Sequence, residues 1–463
     1  MNQKLKEIIA AKKIEVSCLY DSLSLEHLEK YVAPVAFNVY EYLRGKVERE
    51  KHFFISEFKR KSPSEGDINQ LVVLDEQLDL YIQGGTTVVS VLTDKPYFGG
   101  SYNDLTKAAA LLKGTGVLLL QKDFILDPIQ IYLARKMGAE MILLIARILS
   151  TERLVQLKQV AESLGMAVLM ELHDEAEYLK VKNLDCQLIG INNRDLDSFC
   201  TYVNRFNIVS ELVPKNSLLV AESGIGSELD AAVVKSKADG FLIGTSLMRS
   251  GIKKSLKQHF DLDKAYFFKA CGLRTFEDFS AVGADLIGVN FSPKSKRVIA
   301  KEVLNKAVLG NNAVAVFKSN SRETILQVME KYPFKYAQIY VEDINDPHFL
   351  NSIKAKIILC GSVTNRCDIE RLIDYAAFAD LFILDGPNPG SGESVANSLF
   401  KNFPYPFLKA GGLNINNINK ILELPNCIGV DIASGIESEG SIDYNKIKAI
   451  EAEVSHLNTQ LTC

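Results

Sequence analysis

The chain contains no tryptophan and only six histidines, and its eight cysteines include no Cys-x-x-Cys pair. The histidines, at 27, 52, 173, 259, 348 and 456, never fall four residues apart. That spacing excludes the i, i+4 pair and the His-Glu-x-x-His signature of a helical metal site. The cysteines, at 18, 186, 200, 271, 360, 367, 427 and 463, form neither a zinc ribbon nor a disulfide framework and point to a reducing, cytoplasmic compartment. No run of apolar residues approaches the roughly 18 a membrane span needs. The opening Met-Asn-Gln-Lys-Leu-Lys-Glu lacks the apolar core of a secretory signal. Charge is nearly balanced, with 53 basic and 57 acidic residues for a net −4, so no field draws nucleic acid or an anionic membrane. Any catalysis is left to carboxylates, lysines or a cysteine, and no metal or organic cofactor is expected.

What the chain does have is a rhythm. Short apolar runs occupy residues 53–58, 87–92, 116–122, 141–146, 167–171, 188–192, 218–222 and 240–244, with ends about 20 to 35 residues apart. This is the period of a strand plus a helix. The runs are near-continuously apolar, as in a parallel sheet covered on both faces. Eight such units predict a closed (β/α)8 barrel. The pattern then restarts with 267–271, 286–291, 313–317, 336–341, 356–360, 381–385, 407–412 and 428–432. A single open sheet of sixteen strands is disfavoured. The expected architecture is therefore α/β, two consecutive barrels spanning 1–256 and 257–463, with the seam in the lysine-rich segment 248–264. In residues 1–50, Leu5, Ile8, Ile9, Leu25, Leu28 and Tyr31 sit at helical spacing. This predicts a helical extension packed on the first barrel, either a surface helix or an active-site cover.

Barrel active sites lie at the C-terminal ends of the strands. In the first series these ends carry Glu57 and Lys59 on one strand face, then Lys122, Glu171, Asn192, Arg194, Glu222 and Ser223. Each one alone fits a rim salt bridge. Together, two lysines and three glutamates around one mouth shift one another's pKa values and so separate acid from base roles. Gly224 after the seventh strand, and Gly244-Thr245 after the eighth, stand where such barrels hold phosphate on backbone N–H groups.

Six blocks carry a specific likeness: Glu57-x-Lys-Arg-Lys-Ser-Pro-Ser64, Ser90-Val-Leu-Thr-Asp, Lys122-Asp-Phe-Ile-Leu-Asp-Pro, Gly190-Ile-Asn-Asn-Arg-Asp-Leu, Glu222-Ser-Gly-Ile and Phe241-Leu-Ile-Gly-Thr-Ser-Leu-Met. In this order they resemble indole-3-glycerol phosphate synthase across nearly all of residues 50–250. The resemblance implies decarboxylative ring closure of 1-(2-carboxyphenylamino)-1-deoxyribulose 5-phosphate, then dehydration. It implies Lys122 as the general acid on the ketone and Glu171 as acid/base partner of the departing hydroxyl, with Glu57 close by. Lys59 and Ser62 would meet the substrate, and Phe124 would line the anilino ring. Asn192, Arg194, Glu222 and Ser223 would orient it, while Gly224, Gly244 and Thr245 would take the phosphate. Thr245 stands where the family often has Ser. The order in which the lysines and glutamates act stays open.

In the second series, the first strand ends in Lys269-Ala270-Cys271-Gly272. Cys271 is either a buried small hydrophobe or, at the catalytic end, a thiolate base. Arg297, in the loop after the second strand, offers a fork for a carboxylate. Asp385 ends an apolar strand as a general acid or as half of an Asp-Gly turn. Gly411-Gly412 and Ser434-Gly435 repeat the phosphate-turn logic. These blocks resemble phosphoribosylanthranilate isomerase over about residues 265–455. The resemblance implies an Amadori rearrangement in which Asp385 protonates the furanose oxygen, Cys271 takes the C2′ proton and Arg297 holds the anthranilate carboxylate. Gly411, Gly412, Ser434 and Gly435 would receive the phosphate. The family's Gln-Leu-His-Gly appears here as Gln338-Ile339-Tyr340-Val341, and Glu393-Ser394 follows Gly390-Ser391-Gly392 where the family tends to have a basic residue and Phe-Asp-Trp.

Both resemblances imply phosphorylated small-molecule substrates, no cofactor, and no nucleic-acid or membrane partner. A fused pair needs no subunit contact, so a monomer is expected. Two other readings remain: an active synthase joined to a decayed isomerase, and a non-catalytic phosphosugar-binding double barrel. Glu57, Lys59, Lys122 and Glu171 argue against the second, because a binder needs glycine turns but no acid/base set.

Overall fold

Phe53–Phe58 is buried along its whole length, and so is nearly every run that follows it in the sequence, which makes each a strand covered on both faces. The computed structural model describes residues 3–63, 65–250, 255–304, 310–386 and 399–461. In the first half the strands are β1 (Phe53–Phe58), β2 (Val88–Leu92), β3 (Leu118–Lys122), β4 (Met141–Ile145), β5 (Ala167–Leu172), β6 (Leu188–Asn192), β7 (Leu218–Glu222) and β8 (Gly240–Ile243). They form a closed parallel barrel in sequence order, with Ile55 of β1 opposite both Val88 of β2 and Leu242 of β8.

The second half repeats this with β9 (Phe267–Cys271), β10 (Leu286–Asn290), β11 (Ala313–Phe317), β12 (Tyr336–Tyr340), β13 (Lys356–Ser362), β14 (Leu381–Asp385), β15 (Phe407–Ala410) and β16 (Cys427–Ile432). These too close into a parallel barrel, β9 pairing with both β10 and β16. The expected double barrel is what the chain forms. β15 stops at Ala410, two residues before its apolar run ends, because Gly411 and Gly412 turn to φ +86° and +67°. Gly390-Ser391-Gly392, Glu393-Ser394 and Ser64 lie outside the described residues.

The N-terminal segment is helical: α1 (Gln3–Ser22), α2 (Leu25–Tyr31) and α3 (Val39–Glu50). Asn38 caps α3, its side-chain oxygen accepting from the Tyr40 and Glu41 N–H groups. Leu5 and Ile8 of α1 join Val39, Leu43, Phe53, Leu120 and Phe124 in one apolar cluster. Burying each such side chain contributes about 1.5–3 kcal/mol. The chain divides into two units, Met1–Thr201 with Arg205–Asp261, and Tyr202–Asn204 with Leu262–Cys463. Among the described residues, no helix is long and apolar enough to cross a membrane.

Candidate active sites

At the mouth of the first barrel Lys122, the last residue of β3, bridges two carboxylates. Its ammonium donates to Glu171 Oε2 at 2.8 Å and to Glu222 Oε2 at 2.9 Å. Glu171 comes from β5 and Glu222 from the end of β7, so the bridge exists only once the barrel has closed. Asn192, ending β6, stands in register beside Glu222. Glu57 of β1 accepts from Lys59 at 2.5 Å, the two side chains sharing one strand face as their spacing predicts. Gly190 of β6 makes room for this constellation, since a Cβ there would overlap Glu222 Oε1.

All three glutamates are buried, which disfavours their charged forms, yet they titrate differently. Burial pushes Glu222 up to about 8, with the Glu171 charge adding to the shift and Lys122 opposing it. Glu171 feels the same burial, but Lys122, His173 and a hydrogen bond from Asn192 outweigh it and hold the carboxyl below the usual range. Glu57 is also lowered: its burial is overcome by Lys59 and Lys122. Burial likewise opposes the Lys122 cation, and Glu171, Glu222 and Glu57 more than compensate. At neutral pH the mouth therefore holds the Lys122 cation beside an ionised Glu171 and a protonated Glu222. One proton donor and one acceptor face the same space.

The other residues named from the sequence surround this centre to differing degrees. Phe124 belongs to the apolar cluster that α1 covers, its ring 6.1 Å from that of Phe98. Ser223 and Gly224 take φ +62° and +80°, turning the chain sharply after β7. Gly244 packs on the Glu57–Lys59 pair, and Thr245 begins the helix Thr245–Ser250. Arg194 pairs with Glu65 at 3.5 Å. Ser62 lies in a short hairpin, its hydroxyl accepting from the Glu65 N–H, and so supports the loop after β1.

One histidine, given no role in the sequence reading, stands beside these carboxylates. His173 is fully buried two residues beyond Glu171, with Nε2 3.5 Å from Glu171 Oε1 and Nδ1 3.0 Å from Glu177 Oε2. The two-residue strand period from Glu171 was the available signal.

In the second barrel a cavity of about 270 Å³ gathers Cys271, Arg297, Asp385, Gly411, Gly412 and Ser434. Lys269, two residues before Cys271, donates to its sulfur at 2.8 Å and to Asp431 Oδ2 at 2.9 Å. Burial pushes the Cys271 thiol up to about 12, Asp431 adding to this and Lys269 opposing it. The resting group is thus a thiol, with Lys269 placed to stabilise the thiolate as it forms.

Asp385 accepts from the Gly386 N–H at 2.7 Å and from the Tyr340 hydroxyl at 3.3 Å. Burial raises it to about 6, against Lys409, so part of it keeps a proton near neutrality. Gly411, at φ +86°, leans over this carboxyl, and a Cβ there would sit 2.7 Å from Asp385 Oδ1. Gly435 packs against the Leu413 carbonyl, which brings the two glycine turns side by side.

Arg297 differs from the expectation in one respect. Its fork is engaged by Glu437, with Nε 2.9 Å from Oε1 and Nη2 2.6 Å from Oε2. A carboxylate already sits where that of a substrate was expected. Tyr340 and Lys318 also line the cavity, the Lys318 ammonium 4.2 Å above the Tyr340 ring, and neither was assigned a role from sequence. Among the described residues, no group of three or more His, Cys, Asp or Glu is arranged to hold a metal ion.

The family model described as indole-3-glycerol phosphate synthase matches residues 5–258, and that of N-(5'phosphoribosyl)anthranilate isomerase matches residues 268–453. The chain is 32% identical over 462 residues to the Tryptophan biosynthesis protein TrpCF of Helicobacter pylori, covering 97% of this chain and 98% of that one. It is 30% identical to the Multifunctional tryptophan biosynthesis protein of Schizosaccharomyces pombe, covering 98% of this chain and 66% of that one. The solved phosphoribosyl anthranilate isomerase of Thermotoga maritima is 28% identical over 41% of this chain and 99% of its own, with a TM-score of 0.38.

Proposed function

The chain belongs to the family of fused tryptophan-biosynthesis enzymes that join an indole-3-glycerol phosphate synthase to a phosphoribosylanthranilate isomerase, and on that premise we propose how its residues divide the two reactions. The protein is bifunctional. Its second barrel isomerises N-(5-phosphoribosyl)anthranilate to 1-(2-carboxyphenylamino)-1-deoxyribulose 5-phosphate, and its first barrel converts that product to indole-3-glycerol phosphate. Both reactions run on proton transfers, which fits sites built from lysine, carboxylate and thiol groups.

In the isomerase barrel, Asp385 gives its proton to the furanose ring oxygen as the ring opens. Cys271, reacting as the thiolate that the Lys269 cation stabilises, takes the C2′ proton and becomes a thiol. The resulting enol relaxes to the ketone. Arg297 receives the anthranilate carboxylate alongside Glu437, and Gly411, Gly412, Ser434 and Gly435 hold the phosphate through backbone N–H groups.

In the synthase barrel, Lys122 protonates the ketone oxygen while the ring carbon bearing the carboxylate attacks C2′ and CO2 departs. Glu222 then gives its proton to the leaving hydroxyl, and Glu171 takes the C1′ proton that completes the indole. Lys59, paired with Glu57, meets the substrate carboxylate, and Phe124 lines the aryl ring. Asn192, Arg194 and Ser223 orient the sugar, with Ser62 supporting the adjoining loop. Gly224, Gly244 and Thr245 hold the phosphate.

The bridge from Lys122 to Glu171 and Glu222 is the observation that carries this reading, since a phosphosugar binder has no use for it. We assign the synthase to residues 1–256 and the isomerase to 257–463, in keeping with the unit seam after Asp261. A cytoplasmic monomer fits the seven free cysteines among the described residues and the presence of both sites in one chain. Complementation tests the reading: the gene should restore tryptophan-independent growth to a strain lacking either activity. Rescue of neither strain would overturn it.

A further inference from the structure

Helix α1 buries Leu5, Ile8 and Lys12 on one face, so a lysine stands where packing alone calls for an apolar side chain. Lys12 is 1% exposed. Its ammonium lies 2.7 Å from Asp123 Oδ1, 2.8 Å from Glu15 Oε2 and 3.4 Å from Asp94 Oδ2. Asp94 and Asp123 are themselves nearly inaccessible, and they follow β2 and β3 at the mouth of the first barrel. A lysine is desolvated this completely only when carboxylates replace its water.

Asp123 is the residue next to Lys122, and it is held on every side. Its Oδ1 accepts from the Phe124 N–H at 2.7 Å as well as from Lys12, and its Oδ2 accepts from the Thr93 hydroxyl. Gln121, on the other side of Lys122, donates to that same hydroxyl at 3.0 Å. The Lys122 carbonyl accepts from the Thr93 N–H at 3.2 Å. The backbone from Gln121 to Phe124 is thereby clamped to the end of β2, and Lys12 is the cation that neutralises the clamp.

We propose that Lys12 is a positioning residue for Lys122, fixing the strand end so that the ammonium meets Glu171, Glu222 and the substrate ketone in register. This rests on the catalytic role given to Lys122 above. Lys12 touches no reacting atom and acts only through Asp123. A helix outside the barrel thus sets the geometry of a proton donor inside it. Misplacement of a catalytic group by about an ångström is enough to cost on the order of a hundredfold in rate.

The test uses the full chain and synthase kinetics with 1-(2-carboxyphenylamino)-1-deoxyribulose 5-phosphate, alongside thermal unfolding of each variant. Lys12→Met should lower kcat by about tenfold or more while KM moves by less than about threefold, and Lys12→Arg should keep most of the turnover. The double variant Lys12→Met/Asp123→Asn leaves the pair neutral. It should regain the unfolding midpoint lost in Lys12→Met without regaining kcat. If Lys12→Met does not fold, the double variant carries the comparison alone. Wild-type kcat in either variant would overturn the proposal and leave Lys12 a structural anchor. Lys122→Met is run in parallel: turnover in that variant would defeat the role of Lys122 itself, whereas its inactivity beside an unimpaired Lys12→Met would defeat only the role of Lys12.

Discussion

The Lys269 ammonium lies 2.8 Å from the Cys271 sulfur, both on the inner face of β9, with Asp431 2.9 Å away on its other side. The lysine charge is shared between a thiol and a carboxylate, and burial keeps the proton on sulfur up to about 12. Cys271 should therefore alkylate far more slowly with iodoacetamide at pH 7.5 than the exposed Cys18 and Cys367, as followed by peptide mass spectrometry. Asp431→Asn removes a charge that raises the thiol and should speed Cys271 labelling. Rapid labelling of Cys271 in the unsubstituted protein would contradict this.

The proposed isomerase roles require a proton on Asp385 and none on Cys271. With pKa values of about 6 and about 12, the product of the two required fractions climbs with pH until about 6 and is then level. Isomerase kcat/KM should accordingly fall as pH drops below 6 and stay flat from there through neutrality. A maximum at pH 5 would refute the pairing of roles.

Glu222 sets the opposite trend in the synthase. Its carboxyl must be protonated to act as an acid, so kcat should decline as pH rises through about 8. The same shift acts on stability. The folded group keeps its proton while the unfolded one loses it above 4.5, so stability is fully present below that value and is lost as pH rises to about 8. The unfolding midpoint of the first barrel should fall over that window in the wild type, and less in Glu222→Gln. Equal slopes in the two proteins would remove Glu222 as the source.

Gly190→Ala should be severe for one activity and silent for the other. Its Cβ would occupy the space of Glu222 Oε1, which forces that carboxylate off Lys122. A synthase kcat loss of about a hundredfold is expected, with isomerase kinetics unchanged. Synthase turnover near the wild-type rate would show that Glu222 tolerates displacement.

Both barrels could be read from the sequence because a strand buried on both faces leaves a run of apolar residues, and most of the proposed active residues sit where such a run ends. Glu57, Lys122, Glu171, Glu222, Cys271 and Asp385 were visible for that reason. The partners of Arg297 and Asp123 were not. Glu437 is 140 residues from Arg297, and Lys12 is more than a hundred from Asp123, so no local period brings them together. His173 escaped because a single histidine just past a strand end belongs to no spacing pattern. Lys12 escaped because its helix reads as a plain amphipathic stripe with one polar interruption.

The most direct measurement feeds each substrate separately to the wild type, Lys122→Ala and Cys271→Ala and follows indole fluorescence together with isomerisation. The wild type should turn N-(5-phosphoribosyl)anthranilate through to indole-3-glycerol phosphate. Lys122→Ala should stop at 1-(2-carboxyphenylamino)-1-deoxyribulose 5-phosphate, and Cys271→Ala should make indole-3-glycerol phosphate only when given that intermediate. Indole-3-glycerol phosphate formation by Lys122→Ala, or normal isomerisation by Cys271→Ala, would contradict the assignment of one chemistry to each barrel.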